Sequence, residues 1–183
     1  MKTIVIYTST TGFTKKYAEW IAQDLGADLV EARSLRLGLR PGLRPETLQN
    51  YDTIIYGGSL HAVGIRGVKA LKKNFARLEG KRVIVFATGA TPSRTDVPAE
   101  VINANFSPEE RERIHFFYLR GGFDYSKLGL VDKFLMNLLK LKLARKKERT
   151  PDEMGMLAAY SRPVDFTKRE RIKDLVACAE GKA

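Results

Sequence analysis

Cysteine is nearly missing from this chain: one residue, Cys178, stands among 183. A lone thiol excludes a disulfide framework and a cysteine-built metal site, and it fits a reducing, cytoplasmic setting. Long apolar runs are missing as well. In the most apolar late segment the longest uncharged stretch covers residues 134–139, far short of the roughly 20 residues that a membrane-crossing helix needs. The amino terminus, MKTIVIYTSTTG, has neither the basic region nor the cleavage site of a secretory signal and runs straight into a strand pattern. No G-x-x-x-x-G-K-[ST] and no G-x-G-x-x-G occurs, which removes the usual nucleotide-triphosphatase and dinucleotide-binding motifs.

Acidic residues are few relative to basic ones: 21 against 32, a net charge of +11. The excess is concentrated. Lys127, Lys133, Lys140, Lys142, Arg145, Lys146, Lys147 and Arg149 are opposed only by Asp132 and Glu148, and Arg33, Arg36, Arg40 and Arg44 form a second patch. Such patches imply an anionic partner surface. Nucleic acid is a poor candidate, because the aromatic interleaving of single-strand binders and any known reading motif are absent.

The length fits one domain, 1–183. Within it, apolar β-branched runs predict buried strands at Thr3 to Tyr7, Asp28 to Ala32, Asp52 to Gly57, Arg82 to Ala87 and Ile114 to Leu119. Helical spacing is read at 14–25, 67–78, 98–113 with a fresh start at Pro108, and 166–179 with Thr167 as N-cap. The stretch 37–45 reads as loop. Strands alternating with helices require parallel pairing through crossovers, and the expected architecture is a doubly wound five-stranded α/β sheet in the order 2-1-3-4-5. Ligands of such sheets bind at the carboxyl ends of the strands, where the order reverses. The loops after the first, third and fourth strands are therefore the candidate site.

The first loop, Thr8-Ser9-Thr10-Thr11-Gly12-Phe13-Thr14, opens a helix. Free backbone N–H groups and the helix dipole favour an anion there, hydroxyls of Ser9, Thr10, Thr11 and Thr14 add donors, and Gly12 permits close approach. Helix capping alone would use the same residue types. A response regulator needs acidic residues after strand one and an Asp after strand three, and those places hold Ser/Thr and glycine.

On these residues the chain resembles the flavodoxins, whose FMN phosphate loop follows a strand with the pattern T/S-x-T-G-x-T; Phe13 replaces the Asn that many of them carry. The resemblance implies FMN as cofactor, with Ser59, Leu60, His61, Ala62 and Gly64 beside the flavin ring and Thr88, Gly89 and Ala90 offering backbone groups to its pyrimidine edge. With no aromatic residue in the second loop, the ring face is expected to stay open to a substrate. His61 is a candidate proton donor near the reactive flavin nitrogen or a polar side chain at the rim, and no catalytic residue is assigned beyond it. His115 is expected to be structural, and Arg94 either to compensate a reduced, anionic flavin or, as is more common for an arginine, to face solvent.

Between the fifth strand and the last helix lies an insertion, about 123–160, read as a basic helix with an apolar face of Leu128, Val131, Phe134, Leu135, Leu138 and Leu139 and a polar stripe of Lys133, Asn137 and Lys140. Its longest uncharged run, 134–139, is too short to span a bilayer, yet it has the composition to lie on one as a peripheral contact through 127–149. Residues 118–128, Thr150-Pro151-Asp152 and 162–166 make the chain similar to the menaquinone-dependent protoporphyrinogen oxidases, which have a long insertion here. That likeness implies an FMN enzyme passing electrons from a porphyrin-type substrate to a quinone. The alternative is a soluble electron-transfer flavodoxin whose basic helix docks a redox protein.

Overall fold

In a computed structural model the described residues are 1–32, 45–92, 96–146, 148, 154, 157, 159–160 and 162–182. The arginine patch at 33–44, Arg94 and Thr150-Pro151-Asp152 lie outside them. Five parallel strands form the centre: β1 (Thr3–Thr8), β2 (Asp28–Glu31), β3 (Thr53–His61), β5 (Arg82–Gly89) and β6 (His115–Arg120), in the spatial order β2-β1-β3-β5-β6. This is the expected 2-1-3-4-5 order, with one addition. The short β4 (Gly64–Ile65) folds back antiparallel on the end of β3.

The sheet is buried on both faces, which explains why its central strands read as unbroken apolar runs rather than alternating ones. Residue parity divides the core. Ile4, Ile54, Val83 and Val85 pack on one side with Val68 and Leu71 of α2 (Val68–Lys72), Phe75 and Leu78 beyond it, and Val101 of α3 (Asp96–Asn105). Val5, Ile55, Ile84 and Phe86 pack on the other with Tyr17 and Ile21 of α1 (Phe13–Leu25) and with Leu175 and Cys178 near the carboxyl terminus. Cys178 is buried, as a small apolar filler.

Several local expectations change. Gly67 takes a left-handed conformation (φ 78°) and stands outside the helix as its N-cap, and the helix predicted over 67–78 is α2 followed, after Lys73 and Asn74, by a 3-10 turn at Phe75–Leu78. The helix predicted over 98–113 is α3 followed by α4 (Pro108–Arg111), whose start carries a capping box between Ser107 and Glu110. Thr167 does not cap the last helix. Its N–H and hydroxyl both donate to Asp165, and a 3-10 turn at Arg169–Ile172 leads into α6 (Lys173–Glu180).

The insertion forms α5 (Leu130–Arg145), below called the roof helix. The face expected to be uniformly apolar is in fact two faces. Leu135 and Leu139 turn toward the carboxyl ends of the strands together with Leu128, whereas Phe134 and Leu138 point outward.

Candidate functional site

At the carboxyl edge of the sheet, the ends of β1, β3 and β5 and the roof helix line a half-open cleft of about 460 Å³, within the roughly 300–1,000 Å³ range of small-molecule sites. Its floor is drawn from the three predicted loops: Thr10, Thr11 and Phe13 from the first, Ser59, Leu60, His61 and Ala62 from the second, Thr88, Gly89 and Ala90 from the third. The other predicted residues, Ser9, Gly12, Thr14 and Gly64, are not part of this lining. Gly12 donates its N–H to Ser9 Oγ at 3.1 Å and holds φ at 97°, a left-handed conformation that a side chain would strain. Thr14 is 1% exposed and its hydroxyl shares a 2.6 Å hydrogen bond with that of Thr88, which locks the first loop to the third. Thr10 and Ser59 share another at 3.2 Å.

The second loop is a hairpin rather than a loop. β3 continues through Gly57 and Gly58 to His61, Ala62 turns the chain with φ at 52°, and Gly64 pairs with His61. The glycine pair is required by packing. A Cβ on Gly57 would lie 2.1 Å from the Phe86 ring, and one on Gly58 would lie 2.4 Å from Ile65. Behind the hairpin the Tyr56 hydroxyl donates to Arg66 O at 2.8 Å and bonds Thr8 Oγ1 at 3.0 Å, so the first and second loops are braced together. Burial pushes the Tyr56 phenol up, keeping it a neutral donor.

The side of the cleft away from the floor adds a wall that the sequence reading did not place. Leu128, Leu135, Met136 and Leu139 cover it, with Gly121, Gly122 and Phe123 at one end. Phe13 accounts for its own departure from Asn: its ring packs where a Cβ on Gly122 would be, 2.6 Å from such an atom, while a Cβ on Gly121 would meet Phe13 Cβ at 3.2 Å. Asp132, the one acidic residue of the roof helix, pairs with Arg66 at 2.7 Å and with His61 Nδ1 at 3.1 Å. A second brace is aromatic. Tyr125 donates to Asn137 Oδ1 at 2.9 Å, Tyr160 donates to Met136 O at 2.5 Å, and Tyr160 lies against both Tyr125 and Phe123.

Sequence reasoning missed Arg66, Gly121, Gly122 and Asp132 as members of this site. The strand-end rule covers the loop after the fifth strand as much as the others, and it was the available signal for the glycines. Asp132 offered another, since a single carboxylate in a strongly basic helix needs a partner. His115 is exposed on the opposite edge of the sheet, near Glu112 and Arg113.

The geometry tests well against a phosphorylated, planar cofactor. The first turn of α1 carries no acidic side chain, and the hydroxyls of Thr10 and Thr11 line the cavity beside it. At the third loop a Cβ on Gly89 would come within 2.7 Å of the Tyr118 hydroxyl, so a bare backbone is presented there. No cluster of His, Cys, Asp or Glu suited to a metal occurs among the described residues.

A doubly wound sheet with a phosphate-type loop after β1 defines a cofactor-binding α/β protein. The chain belongs to the flavodoxin domain family, whose match spans residues 4–150, and its cofactor is FMN. Oxidised Flavodoxin 2 from Bacillus cereus is 26% identical, with 66% of this chain and 84% of that chain covered and a TM-score of 0.42. A flavoprotein in complex with FMN from Lactobacillus acidophilus NCFM is 21% identical, with 73% and 98% covered and a TM-score of 0.41. A flavodoxin from the domain Archaea is 18% identical, with 66% and 85% covered and a TM-score of 0.44. No curated protein matches the chain.

Proposed function

We propose that this protein is an FMN-dependent oxidoreductase that oxidises an apolar small molecule beneath the roof helix, of the protoporphyrinogen type, and passes the electrons to a quinone. The observation that carries the reading is the roof helix itself: Leu128, Leu135, Met136 and Leu139 line the cleft opposite the strand ends, an apolar surface over the cofactor site that a carrier exchanging electrons at an exposed ring edge does not need. Thr10, Thr11 and the N–H groups opening α1 would hold the phosphate, with Ser9, Gly12 and Thr14 setting the loop's shape. Leu60, Thr88, Gly89 and Ala90 would meet the ring. When bound, FMN supplies a hydride acceptor that is later reoxidised.

The chain's own residues shape what surrounds that chemistry. The apolar roof excludes water from the ring face. Asp132 Oδ1 lies 3.1 Å from His61 Nδ1, so a proton on Nδ1 is directed to the carboxylate and Nε2 is left as the acceptor. His61 is thereby suited to take the proton released with the hydride.

The test is anaerobic oxidation of protoporphyrinogen by the FMN-loaded protein with a menaquinone analogue as acceptor. Turnover that needs both components supports the reading. If the flavin is reduced only by a redox protein and never by the porphyrinogen, the electron-carrier alternative replaces it.

A further inference from the structure

The roof helix presents a second surface that the cavity does not use. Eight large apolar side chains stand exposed among the described residues, and five of them, Leu130, Phe134, Leu135, Leu138 and Leu141, belong to this one helix. Leu130 (87% exposed), Phe134 (63%), Leu138 (49%) and Leu141 (56%) fall within an arc of about 80° at 3.6 residues per turn, opposite the side that covers the cavity. A helix apolar on both sides has one side packed and one awaiting an apolar medium.

The flanks identify that medium. Lys140, Lys142 and Arg145 are exposed beside the ridge and Lys133 is half-buried there. Lys133 and Lys140 run along the Tyr125 and Tyr160 rings, at 5.9 and 5.3 Å, while Lys142 and Arg145 have no ion-pair partner among the described residues. Asp132 is turned inward onto Arg66 and His61 and takes no part in the outer charge. A long apolar ridge with a basic rim and no acidic residue on its outer side matches an anionic bilayer surface, with the ridge at the acyl boundary and the rim on headgroups. No helix among the described residues is long and apolar enough to cross a membrane, so the contact is one of lying on the surface.

We infer that the roof helix docks the protein on anionic membranes through Leu130, Phe134, Leu138 and Leu141, with Lys140, Lys142 and Arg145 on the headgroups. The cavity then lies one helix thickness from the lipid, within reach of apolar substrates partitioned there.

The test is co-sedimentation of the full-length, FMN-loaded protein with vesicles of equal phosphatidylglycerol and phosphatidylcholine, compared with phosphatidylcholine alone. The protein pellets with the first and stays largely in solution with the second. Phe134→Ser with Leu138→Ser lowers the affinity at least about tenfold, and Lys142→Gln with Arg145→Gln lowers it about thirtyfold at low salt and less at high salt. Both pairs are exposed, and unchanged flavin content in each shows that fold and cleft are intact. Wild-type protein that ignores both vesicles, or a ridge variant that binds as well as wild type, overturns the inference. So does a ridge-dependent dimer seen by light scattering without vesicle binding. Flavin loss in the wild type would strike the cofactor reading instead, and the two failures are read separately.

Discussion

The floor and the roof of the cleft are built on different principles. The floor is backbone: three strand ends fixed by the ladder of a buried parallel sheet, with hydroxyl pairs such as Thr14–Thr88 and Thr10–Ser59 joining the loops. The roof is one helix held by side chains, through Asp132 to Arg66 and His61 and through Tyr125 and Tyr160. A floor of this kind holds a constant cofactor in one place. A roof tied by a few polar contacts at the rim is held by fewer backbone hydrogen bonds to the rest of the fold than the strand ends are.

Substitutions separate the two. The largest effect is expected at Gly57→Ala, where the new methyl group collides with the Phe86 ring in the centre of the floor; we expect a loss of about 3 kcal/mol or more in a denaturant titration, with flavin binding lost in parallel. A wild-type-like transition would show that the floor is more pliable than its packing implies. Phe13→Ala removes the ring that fills the space over Gly122. Because Phe13 is only half-buried, the expected cost is about 1–2 kcal/mol, again with weaker flavin binding.

The roof responds differently. Asp132→Asn keeps the shape and removes the charge that holds Arg66 and His61. Arg66 and His61 are 37% and 51% exposed at their side chains, so water replaces the lost partner and stability falls by no more than about 1 kcal/mol. Turnover should fall more than flavin affinity does, and the pH profile of turnover should change, because His61 loses the partner that fixes its tautomer. An equal loss of flavin affinity would mean that floor and roof are one unit.

The smallest effect is expected in acid. Asp124, at the foot of the roof, accepts from Ser126 N–H at 3.0 Å and from its hydroxyl at 2.5 Å, with Lys127 at 3.3 Å. The Ser126 hydroxyl bond, ahead of Lys127, holds its carboxyl below the usual range. A depressed carboxylate contributes its stability in full above its unfolded value of about 3.9 and loses it as pH falls through the lower folded value. Stability measured from pH 6 downward should therefore decline below about pH 4 in the wild type, and less steeply in Asp124→Asn.

The same contrast explains what the sequence revealed. Strands and their order were legible because a sheet buried on both faces leaves continuous apolar runs such as Thr53-Ile54-Ile55-Tyr56, and the first loop because a strand, Ser/Thr/Gly and a helix follow in fixed order. The extension of β3 to His61 was hidden by Gly57-Gly58, which looks like a turn until Phe86 and Ile65 are seen to fill the space of their side chains. The roof was hidden in another way. Its period is helical on both sides, so no pattern could say which leucines turn inward, and the pairing of Asp132 with residues about seventy positions earlier is a fact of three dimensions only.

The most direct measurement is titration of the flavin-free protein with FMN, followed by quenching of flavin fluorescence and by the visible spectrum. Saturation at one FMN per chain, with affinity lost in Thr10→Ala with Thr11→Ala and retained in Phe134→Ser, is the predicted result. A protein that stays colourless and leaves FMN fluorescence unchanged would contradict the account at its floor.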